Sequence, residues 1–405
     1  MDTSPLHHFP ELLILLGVAG LTVPFLHKLK ISPILGYLFC GIVVGPYGLG
    51  LLSADMPWIG VLTVQDTEAV AVFAELGVIF LMFMIGLELS LGEIWRMRHH
   101  VLGIGSLQLG LTSIAIFAIA RMFGNAVEIS ILLGVCFSLS STAVVMQLLE
   151  EKGKMKDPPG RLCFSILLMQ DMAVVPLLTL LTAFAARTDQ SLWLVSGKAL
   201  LMAVGSIVVI YIAGMKVLKP VLRYADPARN REWLMSFVMF LVIGTSALTS
   251  SLGLSAALGA FLAGLLLTET ECREEVRDII SPVKGILMGM FFMSVGMMID
   301  VREVLRDPFW LIASVCGIGA LKAAILFLSA TVFRVGKQTA VEAAIMLGQG
   351  GEFVFVIVTM ALSYKIIAPA DAQFFMLVTA LSLTVTPFIA PLAPKIAQVV
   401  GRSKY

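Results

Sequence analysis

Residues Leu167–Pro176 read LLMQDMAVVP and place a carboxylate and an amide side by side in a run that otherwise asks for hydrocarbon. At helix-centre depth in a bilayer, Asp171 costs roughly 2.5–3.5 kcal/mol to insert, and ionisable groups kept there serve transport by default. A desolvated carboxylate favours holding either a proton or a metal cation, which is the choice an exchanger must offer. Gln170 lies about 100° around the same helix. Its amide can lend a carbonyl ligand without adding charge. Pro176 lacks an N–H and leaves the carbonyl of Met172 without its usual donor.

Two other stretches carry polar groups where hydrocarbon is expected. Ser140, Ser141 and Thr142, within FSLSSTAVV, cluster hydroxyls that can bond back to helix carbonyls and open the helix. Opened backbone presents carbonyl oxygens, hard ligands suited to alkali cations; the competing role is hydroxyls that glue helices together. Gly348, Gly350 and Gly351 flank Gln349 and precede Glu352 in LGQGGEFVF, a combination too flexible for an ordinary span. Lys322, in CGIGALKAAILF, is too deep to snorkel easily and calls for an acidic partner, Asp171 or Glu352. Glu75 and Glu88 read as helix-end acids, His99 and His100 as a solvated basic turn, and 268–278 as a solvated acidic loop.

The elements that must position these groups follow from composition. Of 405 residues, 59% are hydrophobic and 14% charged, and the mean hydropathy of +0.96 marks an all-α polytopic membrane protein. With about 20 apolar residues needed per crossing, the sequence predicts thirteen spans, near 11–27, 31–52, 69–89, 101–122, 126–149, 161–186, 192–218, 233–251, 253–268, 281–299, 309–332, 339–363 and 371–394. The first reads as a retained span and not a cleaved signal. Of the 28 Lys and Arg residues, 21 fall in loops of one side and six on the other. That bias predicts an outside N-terminus and a cytoplasmic C-terminus, in the cell inner (plasma) membrane. Spans four to six and eleven to thirteen are weakly symmetric, each with an interrupted middle helix, the pattern of an inverted-repeat transporter with its site at the crossing.

Other chemistries find little support. The five cysteines show no metal or disulfide spacing, GIGALK at 317–322 is a poor dinucleotide fingerprint, and no basic patch suggests nucleic acid. No nucleophile–base pair points to an enzyme. No cofactor is expected in residues 1–405, and no soluble domain is expected after the last span, where only KIAQVVGRSKY follows.

FAELGVIFLMFMIGLELS, SLSSTAVVMQLLEEKG, LLMQDMAVVPLL, the segment from GAFLAG to GMMID and GQGGEFVFV occur in an order that resembles the membrane domain of Kef-type potassium efflux proteins, in the monovalent cation:proton antiporter-2 family. The resemblance implies a sodium/proton-antiporter-like fold and a homodimer in membrane lipid. It divides the chain into a core domain with the crossing helices, about 101–186 and 309–394, and a dimerisation scaffold, about 11–89 and 192–299. It implies K+ at Asp171, with Gln170 as the potassium-type variant of a site where sodium antiporters often add a second acid. Ser140, Ser141, Thr142 and Glu352 match the crossing helices, and Lys322 the basic partner. Kef systems usually add a cytoplasmic nucleotide- and glutathione-sensing domain, so such a domain or an ancillary subunit is a partner this chain would need for glutathione gating. Residues Glu274–Arg277, EEVR, also depart from the His-Ala-Leu-Glu-like stretch of the enterobacterial proteins.

The expected function is therefore exchange of K+ for H+ by alternating access, with Asp171 shared by both ions. A ligand-gated K+ channel or uniporter, or a Na+/H+ antiporter, would use the same site.

Overall fold

The computed structural model describes residues 13–18, 20–21, 33–54, 56–64, 67–88, 95, 97–185, 231–252, 255–402 and scattered positions in 201–221. The expected spans 11–27 and 192–218 lie largely outside the described residues. Among the described residues, eight helices are long and apolar enough to cross a membrane, and two shorter apolar helices accompany them. The protein is an all-helical, multi-pass membrane protein.

The chain forms two compact units, Met1–Leu91 with Leu178–Val301, and Gly92–Leu177 with Arg302–Tyr405. In the first unit, α1 (Pro33–Val44) and α2 (Thr67–Glu88) pack against later helices. These are α7 (Arg231–Ser251), α8 (Ala256–Thr268) and α9 (Arg273–Met298). Alpha-carbon-only residues set the α2–α8 distance: a Cβ on Gly264 would fall 2.0 Å from the Phe83 carbonyl oxygen. Close approach of this kind is how membrane helices gain packing without a hydrophobic driving force. Thr268 adds hydrogen bonds of 2.9 Å to the carbonyls of Gly86 and Leu87.

One expectation is revised here. The acidic stretch read as a loop is helical from Arg273 onward, with Glu274 and Glu275 in the first turn of α9. Two carboxylates there face the positive end of the helix dipole, which favours extending the helix through them.

The second unit holds the two interrupted helices. A wide turn, His99–Gly105, leads into α3 (Ser106–Met122), followed by α4 (Val127–Ser138), α5 (Thr142–Glu151) and α6 (Pro158–Ala185, which belongs to this unit as far as Leu177). After the single turn α10 (Arg302–Arg306) come α11 (Pro308–Val332), α12 (Lys337–Met346), α13 (Phe353–Ser363) and α14 (Pro369–Ile389). The span expected at 126–149 is thus the pair α4 and α5, and that at 339–363 the pair α12 and α13. Serine hydroxyls break the first and a glycine run breaks the second, as their residue types dictate.

A buried cluster including Ile104, Val145, Ile166, Leu326, Ala343 and Leu347 ties α5, α6, α11 and α12 together. After the last span comes α15 (Ala393–Arg402), which packs on α12 and buries Ala393 and Ala397.

Candidate functional site

The site is built from four half-helix ends. Helix α4 stops at Ser138 and α5 restarts at Thr142; α12 stops at Met346 and α13 restarts at Phe353. Between them run non-helical residues whose carbonyls and amides have left the helical ladder, so each needs another partner.

Lys322 supplies the partner at the carbonyl ends. Its side chain is 1% exposed, and Nζ donates to the carbonyl oxygen of Leu139 at 2.6 Å and of Gln349 at 2.5 Å. Leu139 caps the C-terminus of α4 and Gln349 follows that of α12. A single side chain therefore supplies a donor to both breaks, at the carbonyl ends of two helices. The sequence offered Asp171 and Glu352 as its partners. Its hydrogen bonds run instead to these two carbonyls, because the orphan acceptors of two broken helices converge on it.

The carboxylates occupy the opposite ends. Thr142 Oγ1 donates to Asp171, 3.1 Å from Oδ1 and 3.3 Å from Oδ2, at the N-terminus of α5. Asp171 is only partly buried. Glu352 is 5% exposed and begins α13; its Oε1 accepts from the Ala143 N–H at 3.3 Å, within the first turn of α5. Ser141 Oγ accepts from the Val144 N–H at 3.2 Å. Helix α5 thus presents its positive end to two carboxylates, the arrangement that favours negative charge there.

Gln170 faces away from Asp171. Its Oε1 accepts from the Ser140 N–H at 2.8 Å, and its Nε2 donates to Gln108 Oε1 at 2.9 Å and to the Ser138 carbonyl at 3.3 Å. The carbonyl proposed as an ion ligand is engaged by the backbone of the first break. Gln108, which sequence reasoning passed over, completes this clamp by donating to the Ser138 carbonyl at 3.3 Å and to Thr112 at 3.2 Å. Its signal was present: a fully buried amide in the apolar run SLQLGL is as conspicuous as Gln170.

Ser140 Oγ joins the two breaks directly by donating to the Leu347 carbonyl at 2.8 Å, and the Gly350 N–H ties the second break to α14 by donating to Ser382 Oγ at 3.1 Å. Of the expected residues, Ser140, Gln170, Lys322 and Gly350 hold the crossing together. Thr142, Asp171, Ser141 and Glu352 gather at its N-terminal ends. Among the described residues, Glu75 and Glu88 are exposed on α2, in the other unit.

Residues 13–393 match the family model described as sodium/hydrogen exchanger, transmembrane. The structure is similar to that of the sodium proton antiporter MjNhaP1 from Methanocaldococcus jannaschii at pH 8, with a TM-score of 0.70 and 16% sequence identity, covering 98% of each chain. At that identity the likeness speaks for the fold. The family match corrects the expectation of a Kef-type potassium efflux protein, together with the potassium assignment that came with it. The motifs that suggested it encode helix breaks and a buried acid, which the architecture itself demands, and so they carry little information about which cation is moved.

Proposed function

The chain belongs to the sodium/hydrogen exchanger family of monovalent cation–proton antiporters, and from that premise we propose that it exchanges Na+ for H+ at Asp171 by alternating access. The observation that carries this reading is the Asp171 carboxylate, half-buried, hydrogen-bonded by Thr142 and set at the open N-terminus of α5. A carboxylate there can hold a proton or a desolvated cation, but not both. The Thr142 hydroxyl fixes its orientation and has oxygen lone pairs to offer a cation. Lys322, bound to two carbonyls, occupies the far side of the crossing and leaves the Asp171 side as the place for a mobile cation.

One carboxylate serving both ions gives one-for-one, electroneutral exchange. The bias of Lys and Arg toward one set of loops supports an N-terminus outside and a C-terminus in the cytoplasm, in the cell inner membrane.

The test is Na+-driven proton flux in proteoliposomes, with K+ and Li+ in parallel. Wild type should respond to Na+ and not develop a membrane potential, while Asp171→Asn should be inactive at unchanged melting temperature. Flux retained by Asp171→Asn, or driven by K+ in preference to Na+, overturns the reading.

A further inference from the structure

The second unit contains a cavity of about 780 Å³ that the exchange site does not use. It lies among α3, α4, α11 and α14, and its volume falls in the roughly 300–1,000 Å³ range of small-molecule sites. Along α11 its lining runs Trp310, Ser314, Gly317, Ile318 and Leu321. These share one helix face, and the eleven rises of about 1.5 Å from Trp310 to Leu321 give the cavity a length of about 16 Å. That is close to half of a hydrocarbon core about 30 Å thick, the depth of one leaflet.

Its polarity is graded along that length. Three of its polar lining residues sit together at helix ends: Asp307 caps α11, Asp371 lies in the first turn of α14, and Asn125 precedes α4. The Arg121 guanidinium donates to the Asn125 carbonyl at the same end. Phe123 and Trp310 meet edge to face there at 5.9 Å, aromatic residues of the kind that settle at a membrane interface. The far end is hydrocarbon and closes on Phe137 and Leu321, neighbours in sequence of Ser138 and Lys322.

We propose that this cavity holds one acyl chain of an ethanolamine phospholipid, its ammonium facing Asp307 and Asp371 and its phosphate facing Arg121. The occupant must be long, apolar, parallel to the helices and headed at the interface, which describes a chain from one leaflet. The lining holds two carboxylates and neither Lys nor Arg, which disfavours a purely anionic headgroup and favours one that carries its own cation. A chain seated there buttresses α4 and α11 beside the first helix break, so its presence should steady the crossing and raise transport.

The experiment is native mass spectrometry of the full chain with added phosphatidylethanolamine or phosphatidylglycerol, paired with flux in liposomes of each composition. Wild type should retain one ethanolamine lipid per chain in preference to the glycerol lipid by about tenfold, and should transport faster in its presence. Gly317 lines the cavity and a Cβ on it meets nothing within 4 Å, so Gly317→Phe places a ring in the path of the acyl chain. It should lose both the retained lipid and the lipid dependence. Asp307→Asn with Asp371→Asn should keep a lipid but lose the preference, and this holds as a separate test if Gly317→Phe misfolds. Equal retention of both lipids by wild type, lipid retained by folded Gly317→Phe, an unaltered preference in the double variant, or displacement of the lipid by a small amphipathic amine at equal concentration would each overturn the proposal.

Discussion

The side-chain oxygen of Gln170 accepts a hydrogen bond from the backbone N–H of Ser140 at 2.8 Å. A glutamine next to Asp171 therefore acts on the helix break, as a substitute for the helical carbonyl that Ser140 has lost. Gln170→Leu keeps the volume but orphans the Ser140 N–H and one bond each of Gln108 and Ser138, at about 1–3 kcal/mol for each group left unsatisfied. The expected outcome is a lower melting temperature and a lower maximal rate, with the KM for cation little changed. A steady-state split of KM from maximal rate in proteoliposomes checks it.

Thr142 is different, because its hydroxyl touches Asp171 itself. Thr142→Val removes a hydrogen bond to a charged acceptor, worth about 1.5–3 kcal/mol, and also removes an oxygen from the place where a cation would sit. Cation KM should rise by about tenfold or more, the equivalent of 1.4 kcal/mol, and Thr142→Ser should restore most of it. Equal defects in both variants would mean that the methyl group, and not the hydroxyl, is what matters.

Lys322 bridges carbonyls that belong to two different breaks. Lys322→Ala strips both, and two buried acceptors left bare cost about 1–3 kcal/mol each. Melting should fall by a similar amount with and without cation, since the defect lies in the frame. Lys322→Arg should rescue only in part, because a flat guanidinium fork does not replace a compact ammonium between two converging oxygens. Melting curves with and without saturating Na+ distinguish this from loss of an ion ligand, which would abolish only the cation-dependent part.

Much of this was legible in the sequence, for physical reasons that can be stated. Asp171 and Lys322 stand out because charge in hydrocarbon is expensive, and the breaks at Ser138–Ser141 and Leu347–Glu352 stand out because hydroxyls and glycines are poor helix interiors. What sequence could not give was direction. Whether Gln170 turns toward Asp171 or toward Ser140 depends on the rotation of α6, which packing sets. Lys322 looked like half of an ion pair because a carbonyl acceptor leaves no trace in residue type. Potassium was ranked ahead of the Na+/H+ alternative because broken helices and a buried acid are common to the architecture, and motif resemblance reports the architecture.

Cys272 offers a pH-dependent probe outside the membrane spans. It stands at the start of α9 and is half-buried. Burial raises its thiol pKa, and Glu275 and then Glu271 raise it further. A raised pKa leaves less thiolate at neutral pH, so maleimide labelling should be slow and should climb only as pH moves above the range of an ordinary cysteine. In a chain with Cys40, Cys136, Cys163 and Cys316 replaced, Glu275→Gln should shift that labelling profile toward lower pH. An unshifted profile would leave burial as the whole cause.

Gly351 tests how tightly the two breaks must approach. A Cβ there would lie 3.0 Å from the Ser140 carbonyl oxygen and 3.1 Å from its carbon, and both atoms are backbone that cannot swing aside. Gly351→Ala must therefore push the breaks apart by a few tenths of an ångström. The displacement strains Ser140, which is held by Gln170 on one side and bonded to Leu347 on the other, one residue from the end of α5 that holds Asp171 through Thr142. Transport should fall by about tenfold, less than the roughly 100-fold that a 1 Å misplacement can cause. Gly319→Ala is the control on the same crossing, because its Cβ would make only an ordinary 3.7 Å contact with the Gly348 carbonyl. Comparable flux in the two variants would mean that the crossing has more slack than these distances allow.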